Sequence, residues 1–139
     1  MFLRIRFISV LFVMLFLSCK ENTKSFEVEY HWESLDVIAT AYNALEYQTD
    51  NEPHLTAFGD SLVAGQKYIA VSRDLLKLGL THNTPVKIEG LEGIYWVKDK
   101  MHFRWKKRID IFMGKDIDAA RNWGKKRVCI TYGICKDTL

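Results

Sequence analysis

The chain has 139 residues, of which 48% are apolar and 27% charged, and this length fits one domain. Its 8 Phe, 6 Tyr and 4 Trp supply too much core material for a disordered chain, and no composition bias indicates collagen, a coiled coil or a multi-span membrane protein. Residues 19–139 carry 18 basic and 17 acidic side chains, so a near-neutral domain gives no electrostatic reason to expect nucleic acid as a partner.

The N-terminal segment is typical of an export signal. Two arginines precede a 12-residue uncharged run, which is too short to span a membrane as a helix. The following Leu-Ser-Cys resembles a bacterial lipoprotein cleavage site, which predicts a signal peptide over residues 1–18 and a lipid on Cys19. Ordinary secretion with an unmodified Cys19 is the alternative. A tether is expected over residues 19–33, and one folded domain over residues 34–139.

Export also changes how the other two cysteines are interpreted. An oxidising compartment allows a disulfide between Cys129 and Cys135, which are separated by five residues that include a glycine. The alternative is that Cys129 is a buried strand residue and Cys135 a thiol at a frayed end. Cysteine spacing does not decide between the two.

The remaining chain reads as short strands separated by turns. A polar segment over residues 43–53 is the longest predicted loop and a candidate wall of a cleft. Ser72 and Gly79 bound a predicted short helix, and a second is expected over residues 115–123, where apolar residues recur at helical spacing. Alternation and β-forming residues predict strands over 36–42, 68–71, 84–89, 94–97, 107–112 and 127–132. About six strands with small crossover helices favour a compact closed barrel.

Six segments in a fixed order carry a family resemblance. They are Thr40 to Tyr42, Thr56 to Gly59, Ile69 to Val71, Thr84 to Val86, Val97 to Asp99 and Arg108 to Asp110. This ordered set, followed by a helix that ends in Trp-Gly, resembles the three-aspartate (3D) domain of membrane-bound lytic transglycosylase A, which is related to the barrel of rare lipoprotein A. The resemblance covers residues 36–132 and implies a mainly β fold: a six-stranded double-psi β-barrel with one or two short helices.

The resemblance also implies a catalytic pair and a substrate class. Asp99 matches the catalytic aspartate of the family and Asp110 the second, eleven positions later. The implied substrate is the glycan strand of peptidoglycan, cleaved without a cofactor or metal by a carboxyl group that acts first as acid and then as base. Without the resemblance, Asp99 is a turn residue and Asp110 a solvent-facing strand residue. Asp110 fits either a catalytic partner or a structural anchor.

The sequence departs from the family pattern at several positions. Ser72 stands where the family has its third aspartate, and Asp74 is a nearby substitute that otherwise faces a helix dipole. Asp60 corresponds to an acidic residue of rare lipoprotein A and is a further carboxylate candidate, with a turn residue as the alternative. Residues 100–108 replace a glycine-containing loop with bulky and basic side chains. These departures bear on activity more than on fold.

Residues 100–108 contain five Lys or Arg residues interleaved with aromatic side chains. Such a segment suits nucleic acid or an acidic glycan, and export favours the glycan. Arg104 and Trp105 are therefore candidate substrate-binding residues, together with Tyr42; a solvated basic hairpin is the alternative. The four histidines show no metal-ligand spacing.

The leading hypothesis is therefore a lipid-anchored protein at the periplasmic face of the cell envelope, on the outer membrane, that cleaves glycosidic bonds in peptidoglycan. The first alternative is a lipoprotein that binds peptidoglycan without cleaving it. The second is an accessory protein that binds another envelope protein through residues 100–108.

Overall fold

A computed structural model describes residues 28–43 and 56–136. Within these ranges the chain is mainly β, with two short helices, as the sequence predicted. The elements in chain order are β1 Tyr30–Tyr42, β2 Tyr68–Val71, α1 Arg73–Leu76, β3 Pro85–Ile88, β4 Tyr95–Lys100, β5 Arg108–Phe112, α2 Ile117–Trp123 and β6 Lys126–Cys135. The predicted signal peptide, Cys19, most of the tether and the predicted cleft wall after Asn43 lie outside the described residues.

The six strands close into a barrel in the order β1-β5-β2-β4-β3-β6. The pairs β1–β5 and β2–β4 are parallel, and the other four pairs are antiparallel. Strands β1 and β2 are consecutive in the chain but have β5 between them, and strands β4 and β5 have β2 between them. Two such interlocked connections make a double-psi barrel, and they bring strand ends from both halves of the chain to one place.

Alternation along the strands fills the barrel interior. In β5, Ile109 and Ile111 are fully buried and the side chains between and beside them point to the other face. The buried apolar core contains Val37, Ala39, Ile69, Val71, Leu75, Leu80, Val86, Ile88, Tyr95, Val97, Ile109, Ile111, Val128, Ile130 and Tyr132. Because the strand positions that face the interior are mainly apolar, most polar side chains of the strands lie on the outer face of the sheet.

The first strand begins earlier than the sequence suggested. Residues 30–33, predicted as the end of a tether, pair with residues 132–135 of β6. The Tyr30 ring lies against Gly133, where an added Cβ would approach the ring to 3.0 Å. Tyr132 Oη also donates to Glu33 at 2.9 Å. These long-range contacts extend both strands beyond the segments that local sequence patterns marked.

The Ser72 side chain does not cap helix α1, contrary to the prediction. The helix is a single turn, and Ser72 precedes it with extended backbone. Its hydroxyl instead accepts from the Arg108 N–H at 3.0 Å, and its own N–H donates to the Arg108 carbonyl at 2.9 Å. Ser72 is fully buried and joins the end of β2 to the start of β5.

Helix α2 has an N-cap residue, Asp116, that the sequence analysis did not assign. Asp116 accepts from the Ala119 N–H at 2.8 Å, and Gly124 ends the helix with φ of 67°. The Asn43 side chain donates to the Asp116 carbonyl at 2.9 Å and so attaches the end of β1 to this helix.

The geometry excludes a disulfide between Cys129 and Cys135 within one chain. Both lie on the continuous strand β6, where they pair with Asp36 and Tyr30 respectively. Their Cα atoms are six residue steps apart along an extended strand, or about 20 Å, whereas a disulfide requires about 4.4–6.8 Å. Cys129 is exposed on the outer face rather than buried, because Val128 and Ile130 take the inward positions.

No helix among residues 28–43 and 56–136 is long and apolar enough to cross a membrane.

Candidate active site

A groove of about 330 Å³ lies on the outer face of the barrel. Strands β1, β2, β4 and β5 form its floor, and the chain that follows β4 forms one wall. Its lining residues are Tyr42, Asn43, Ala70, Asp99, Lys100, Met101, His102, Trp105 and Asp110. Both predicted catalytic aspartates and two of the three predicted substrate-binding residues, Tyr42 and Trp105, are in this set. The third, Arg104, is exposed and does not line the groove.

The barrel topology explains why Asp99 and Asp110 meet. Ala70 of β2 pairs with Asp99 of β4 on one side and with Asp110 of β5 on the other. Adjacent strands lie about 4.8 Å apart, so the two aspartate Cα atoms are about 10 Å apart across β2. An irregularity between Ile69 and Ala70 shifts the register so that Asp99 occupies this position. The small Ala70 side chain leaves the space between the two carboxyl groups open.

Asp110 is a partly buried carboxyl group that holds its proton more strongly than an ordinary aspartate. Burial raises its pKa to about 6; a hydrogen bond from Thr40 and the charge of Arg108 act in the opposite direction, and the charge of Asp99 adds to the increase. The Thr40 hydroxyl donates to Asp110 Oδ1 at 2.9 Å. Asp110 is therefore a carboxyl group that changes its protonation state close to neutral pH.

Asp99 is held by backbone groups. Its Oδ1 accepts from the Lys100 N–H and from the Ala57 N–H, both at 2.7 Å. The Ala57 contact spans 42 residues of sequence, so the turn at residues 56–60 fixes one side of this carboxylate. The two aspartates thus differ in environment. Asp99 accepts hydrogen bonds from two backbone N–H groups. Asp110 accepts one from the Thr40 hydroxyl, and its burial raises its pKa.

Tyr42 presents an unsatisfied hydroxyl to the same region. Its Oη is buried and has no hydrogen-bond partner among the described residues, although its ring packs against Phe112 with centroids 5.5 Å apart. Burial raises the pKa of Tyr42, and the charges of Asp99 and Asp110 raise it further. The phenol stays neutral, so Tyr42 offers a proton donor beside two carboxyl groups.

Residues 101–107 form a wall and do not fill the groove. The Met101 N–H donates to the Val71 carbonyl at 2.9 Å, which starts this segment in line with the sheet. Trp105 is 39% exposed and packs under the Arg108 guanidinium, whose carbon lies 3.9 Å from the ring centroid. His102, which also lines the groove, packs against Phe103 with centroids 4.3 Å apart. This bulky segment therefore supplies aromatic surface next to the carboxyl pair.

The two further carboxylate candidates lie outside the groove lining. Asp74 accepts from the Lys107 N–H at 2.9 Å. Burial works to raise the pKa of Asp74, but hydrogen bonds with Ser72 and Lys107 outweigh it, and the pKa lies below its usual range. Asp60 forms ion pairs with His82 and Lys98. Each of these carboxylates is engaged in holding a neighbouring segment.

Sequence reasoning did not assign several residues of the site. Thr40 and Ala70 were noticed only as parts of motifs, and Lys100 and His102 only as members of a basic segment. The pairing of Ala70 with both aspartates depends on strand order, which no local pattern reports. Alternation around Ile109 and Ile111 does indicate that Thr40 and Asp110 share the outer face once β1 and β5 are known to pair.

No group of three or more His, Cys, Asp or Glu side chains within the described ranges is arranged to hold a metal ion. The polar groups that line the groove include carboxyl groups, a phenol, an imidazole and an ammonium group, which suit proton transfer and hydrogen bonding to a polar substrate.

Comparison with known proteins gives a distant structural likeness. No family model matches the chain, and no curated protein matches it. The barrel is similar to expansin from Clavibacter michiganensis, in a mutant form crystallised with cellohexaose and in its apo form. Each has 17% identity and a TM-score of 0.45, and the alignments cover 73% and 75% of this chain. The chain spans about half the length of these expansin structures, at 50% and 52%.

Proposed function

We propose that this chain is an exported 3D-type barrel protein that binds glycan strands of peptidoglycan in the Asp99–Asp110 groove and cleaves their glycosidic bonds. One observation carries the proposal: two carboxyl groups from different strands line one groove, and the pKa of Asp110 is about 6. A group with that pKa is partly protonated at neutral pH, as a general acid requires.

We assign the two aspartates roles that differ from the sequence-based prediction, in which Asp99 was the acid and base. Asp110, whose pKa is raised by burial, is the proton donor. Asp99, which accepts two backbone N–H groups, is the anion that stabilises positive charge on the sugar ring as the glycosidic bond breaks.

One carboxyl group, Asp110, serves in turn as acid and as base in this reaction. Asp110 gives its proton to the leaving glycosidic oxygen as the bond from C1 breaks. The 6-hydroxyl of the same muramic sugar then attacks C1, and the Asp110 carboxylate takes the hydroxyl proton. A 1,6-anhydro ring forms, and Asp110 returns to its protonated state. Neither water nor an external reductant or oxidant enters the reaction.

The remaining lining residues suit an amino-sugar polymer with acidic substituents. Trp105 offers an exposed ring on the wall, and sugars pack on aromatic faces. Tyr42 lines the groove, and its buried hydroxyl has no hydrogen-bond partner among the described residues. Lys100 places a positive charge in the lining, where the carboxylates of peptide stems would be attracted.

The cellular setting is part of the same proposal. The signal-like residues 1–18 and the lipobox-like Cys19 support an exported, lipid-anchored protein on the periplasmic side of the outer membrane. That location would bring the groove to its substrate.

The test is digestion of purified sacculi by the full chain, with mass spectrometry of the released muropeptides. We expect 1,6-anhydro products from the wild type, and a fall of about 100-fold or more in their rate of formation for Asp110→Asn and Asp99→Asn. Asp36→Asn is a matched control, because Asp36 is an exposed strand aspartate on β1. Absence of product from the wild type, or undiminished product from Asp110→Asn, would contradict the enzymatic proposal.

Non-catalytic binding is the second candidate, and the aromatic wall favours it. Trp105 is 39% exposed and Phe103 is 64% exposed, which is a large aromatic surface for a segment that carries no catalytic group in the proposed reaction. Co-sedimentation with sacculi that is intact in Asp110→Asn, lost in Trp105→Ala and unaccompanied by fragment release would support this function.

A further inference from the structure

Asp60 bridges two partners beside the groove, an imidazole and an ammonium group. Its Oδ2 pairs with His82 Nε2, and its Oδ1 pairs with Lys98 Nζ at 3.3 Å. His82 lies in the loop before β3, whereas Lys98 lies on β4, next to Asp99. The carboxylate therefore ties two separate parts of the barrel to the turn at residues 56–60.

That turn is internally rigid. The Thr56 N–H donates to the Asp60 carbonyl at 2.9 Å, and the Asp60 N–H donates to the Thr56 hydroxyl at 3.1 Å. The Gly59 N–H donates to the Thr56 carbonyl at 2.9 Å, and Gly59 has φ of 86°. Because the two ends of the turn are hydrogen-bonded to each other, a displacement of Asp60 also displaces the rest of the turn.

The same turn reaches the catalytic groove at Ala57. The Ala57 N–H donates to Asp99 Oδ1 at 2.7 Å. Between the two attachment points, the Phe58 ring stacks on His82 with centroids 4.9 Å apart, and Lys100 Nζ lies 4.7 Å from its centre. The turn is thus attached to β4 at the adjacent residues Lys98 and Asp99.

We propose that Asp60, His82 and Lys98 form a clamp that orients Asp99 through the Ala57 N–H, so that Asp60 is a positioning residue rather than a third catalytic carboxylate. The clamp itself follows from the contacts above; its consequence for catalysis rests on the proposed function.

The partners His82 and Lys98 favour a carboxylate over a neutral side chain at position 60. Burial works to raise the pKa of Asp60, but hydrogen bonds and charge from His82 and Lys98 prevail, and the pKa lies below its usual range. Asp60 is therefore an anion at neutral pH and pairs with both partners at once. An amide at this position keeps the shape but loses the charge attraction to Lys98 and weakens the hydrogen bond with His82.

The experiment uses the isotopically labelled full chain and a readout that does not depend on activity. Amide hydrogen exchange at Ala57 and the ¹³C signal of the Asp99 carboxyl group are compared in wild type, Asp60→Asn, His82→Gln and Lys98→Met. We expect Ala57 exchange to rise at least about fivefold in Asp60→Asn, because loss of one charge-assisted hydrogen bond weakens the turn by that order. The Asp99 carboxyl signal should shift in the same variant.

Asp118→Asn is the matched control, since Asp118 is an exposed aspartate whose ion pair with Arg121 lies within helix α2. It should leave Ala57 and Asp99 unchanged. Exchange at core amides such as that of Ile130 shows whether a variant stays folded; if Asp60→Asn unfolds, Lys98→Met supplies the same comparison with the carboxylate intact. An unchanged Ala57 amide and Asp99 signal in folded variants would overturn the clamp.

Activity measurements separate this inference from the proposed function. With both correct, Asp60→Asn lowers kcat more than it changes KM, because a misplaced Asp99 affects the reacting state more than binding. If the spectra change but no variant or wild type releases muropeptides, the clamp stands and the enzymatic proposal fails. Cleavage by the wild type together with unchanged spectra and rates in Asp60→Asn would leave the enzyme and remove the clamp.

Discussion

At the scale of a single residue, burial of the Asp110 carboxyl group lowers the free energy of unfolding at pH values where the unfolded chain is ionised. Burying this carboxyl group raises its pKa from 3.8 to about 6, so ionisation in the folded state is unfavourable. A solvent-facing strand residue, the alternative that the sequence offered, would pay no such penalty.

We predict that Asp110→Asn stabilises the protein above pH 6. The folded state keeps the Asp110 proton up to about pH 6, whereas the unfolded chain releases it near pH 4. Between these values the folded state binds more protons, so the wild-type free energy of unfolding falls as the pH rises. The advantage of the variant should grow from near zero below pH 4 to about 2–3 kcal/mol above pH 6.

Urea unfolding at a series of pH values from 4 to 8 measures this difference. Asp36→Asn, at an exposed position on the same barrel, should show no comparable pH-dependent gain. A constant difference between Asp110→Asn and wild type across the pH range would show that Asp110 does not titrate as described.

The Thr40 hydroxyl should lower the pKa of Asp110. This hydroxyl donates to Asp110 at 2.9 Å and lowers the pKa. Thr40→Val removes the donor with little change of shape, and we expect the pKa of Asp110 to rise above 6. The ¹³C titration of the Asp110 carboxyl group measures it, with Thr131→Val on β6 as the control. A pKa that stays at the wild-type value would mean that the hydroxyl has no effect on Asp110.

At the scale of elements, the junction between β2, α1 and β5 holds the site together. Ser72 exchanges hydrogen bonds with both backbone groups of Arg108, and Asp74 accepts from the Lys107 N–H. Lys107 has a positive φ of 46°, a conformation that this contact helps to hold. Ser72 therefore has a structural task in this barrel, away from the groove.

We expect Ser72→Ala to destabilise the barrel by about 1–3 kcal/mol, because the buried Arg108 N–H loses a side-chain acceptor. Ser72→Asp should cost at least as much, since Ser72 is fully buried and a carboxylate there must be desolvated. Ser34→Ala is the control, as Ser34 is exposed. Denaturant midpoints give the comparison; a Ser72→Ala midpoint equal to the wild type would contradict the role of this hydroxyl.

At the scale of the whole molecule, the pairing of the first and last strands closes the barrel. Strands β1 and β6 pair over ten residues of register, from Tyr30 with Cys135 to Ala39 with Lys126. Most pairs in the barrel join distant parts of the chain, so loop-closure entropy is lost before the contacts form. We infer that neither half of the chain holds the groove without the other.

Gly133→Ala tests this closure. An added Cβ would lie 3.0 Å from the Tyr30 ring and 3.1 Å from Pro85, so β1, β3 and β6 must all shift. We expect a loss of about 1–3 kcal/mol in the free energy of unfolding. The signals from far-ultraviolet circular dichroism and tryptophan fluorescence should still fall together, as one cooperative unit requires. Unchanged stability would show that the Tyr30 contact is not tight in solution.

Much of this architecture follows from local sequence. Alternation around Ile109 and Ile111 marks β5, and the apolar run from Tyr68 marks β2, because burial on one face or both imposes those patterns. The strand and turn patterns indicated a closed barrel, and the resemblance to the 3D domain implied its double-psi topology and the pairing of Asp99 with Asp110.

Only tertiary structure decided what that pair is. The position of Ala70 between Asp99 and Asp110 comes from strand order, and the pKa of Asp110 comes from how deeply β5 is covered. The exclusion of a disulfide between Cys129 and Cys135, and the anchoring of Ser72, Asp74 and Asp60 outside the groove, depend on contacts between distant residues. Side-chain periodicity records which face is buried, but the charge environment of a carboxyl group is set by neighbours that the linear sequence does not place beside it.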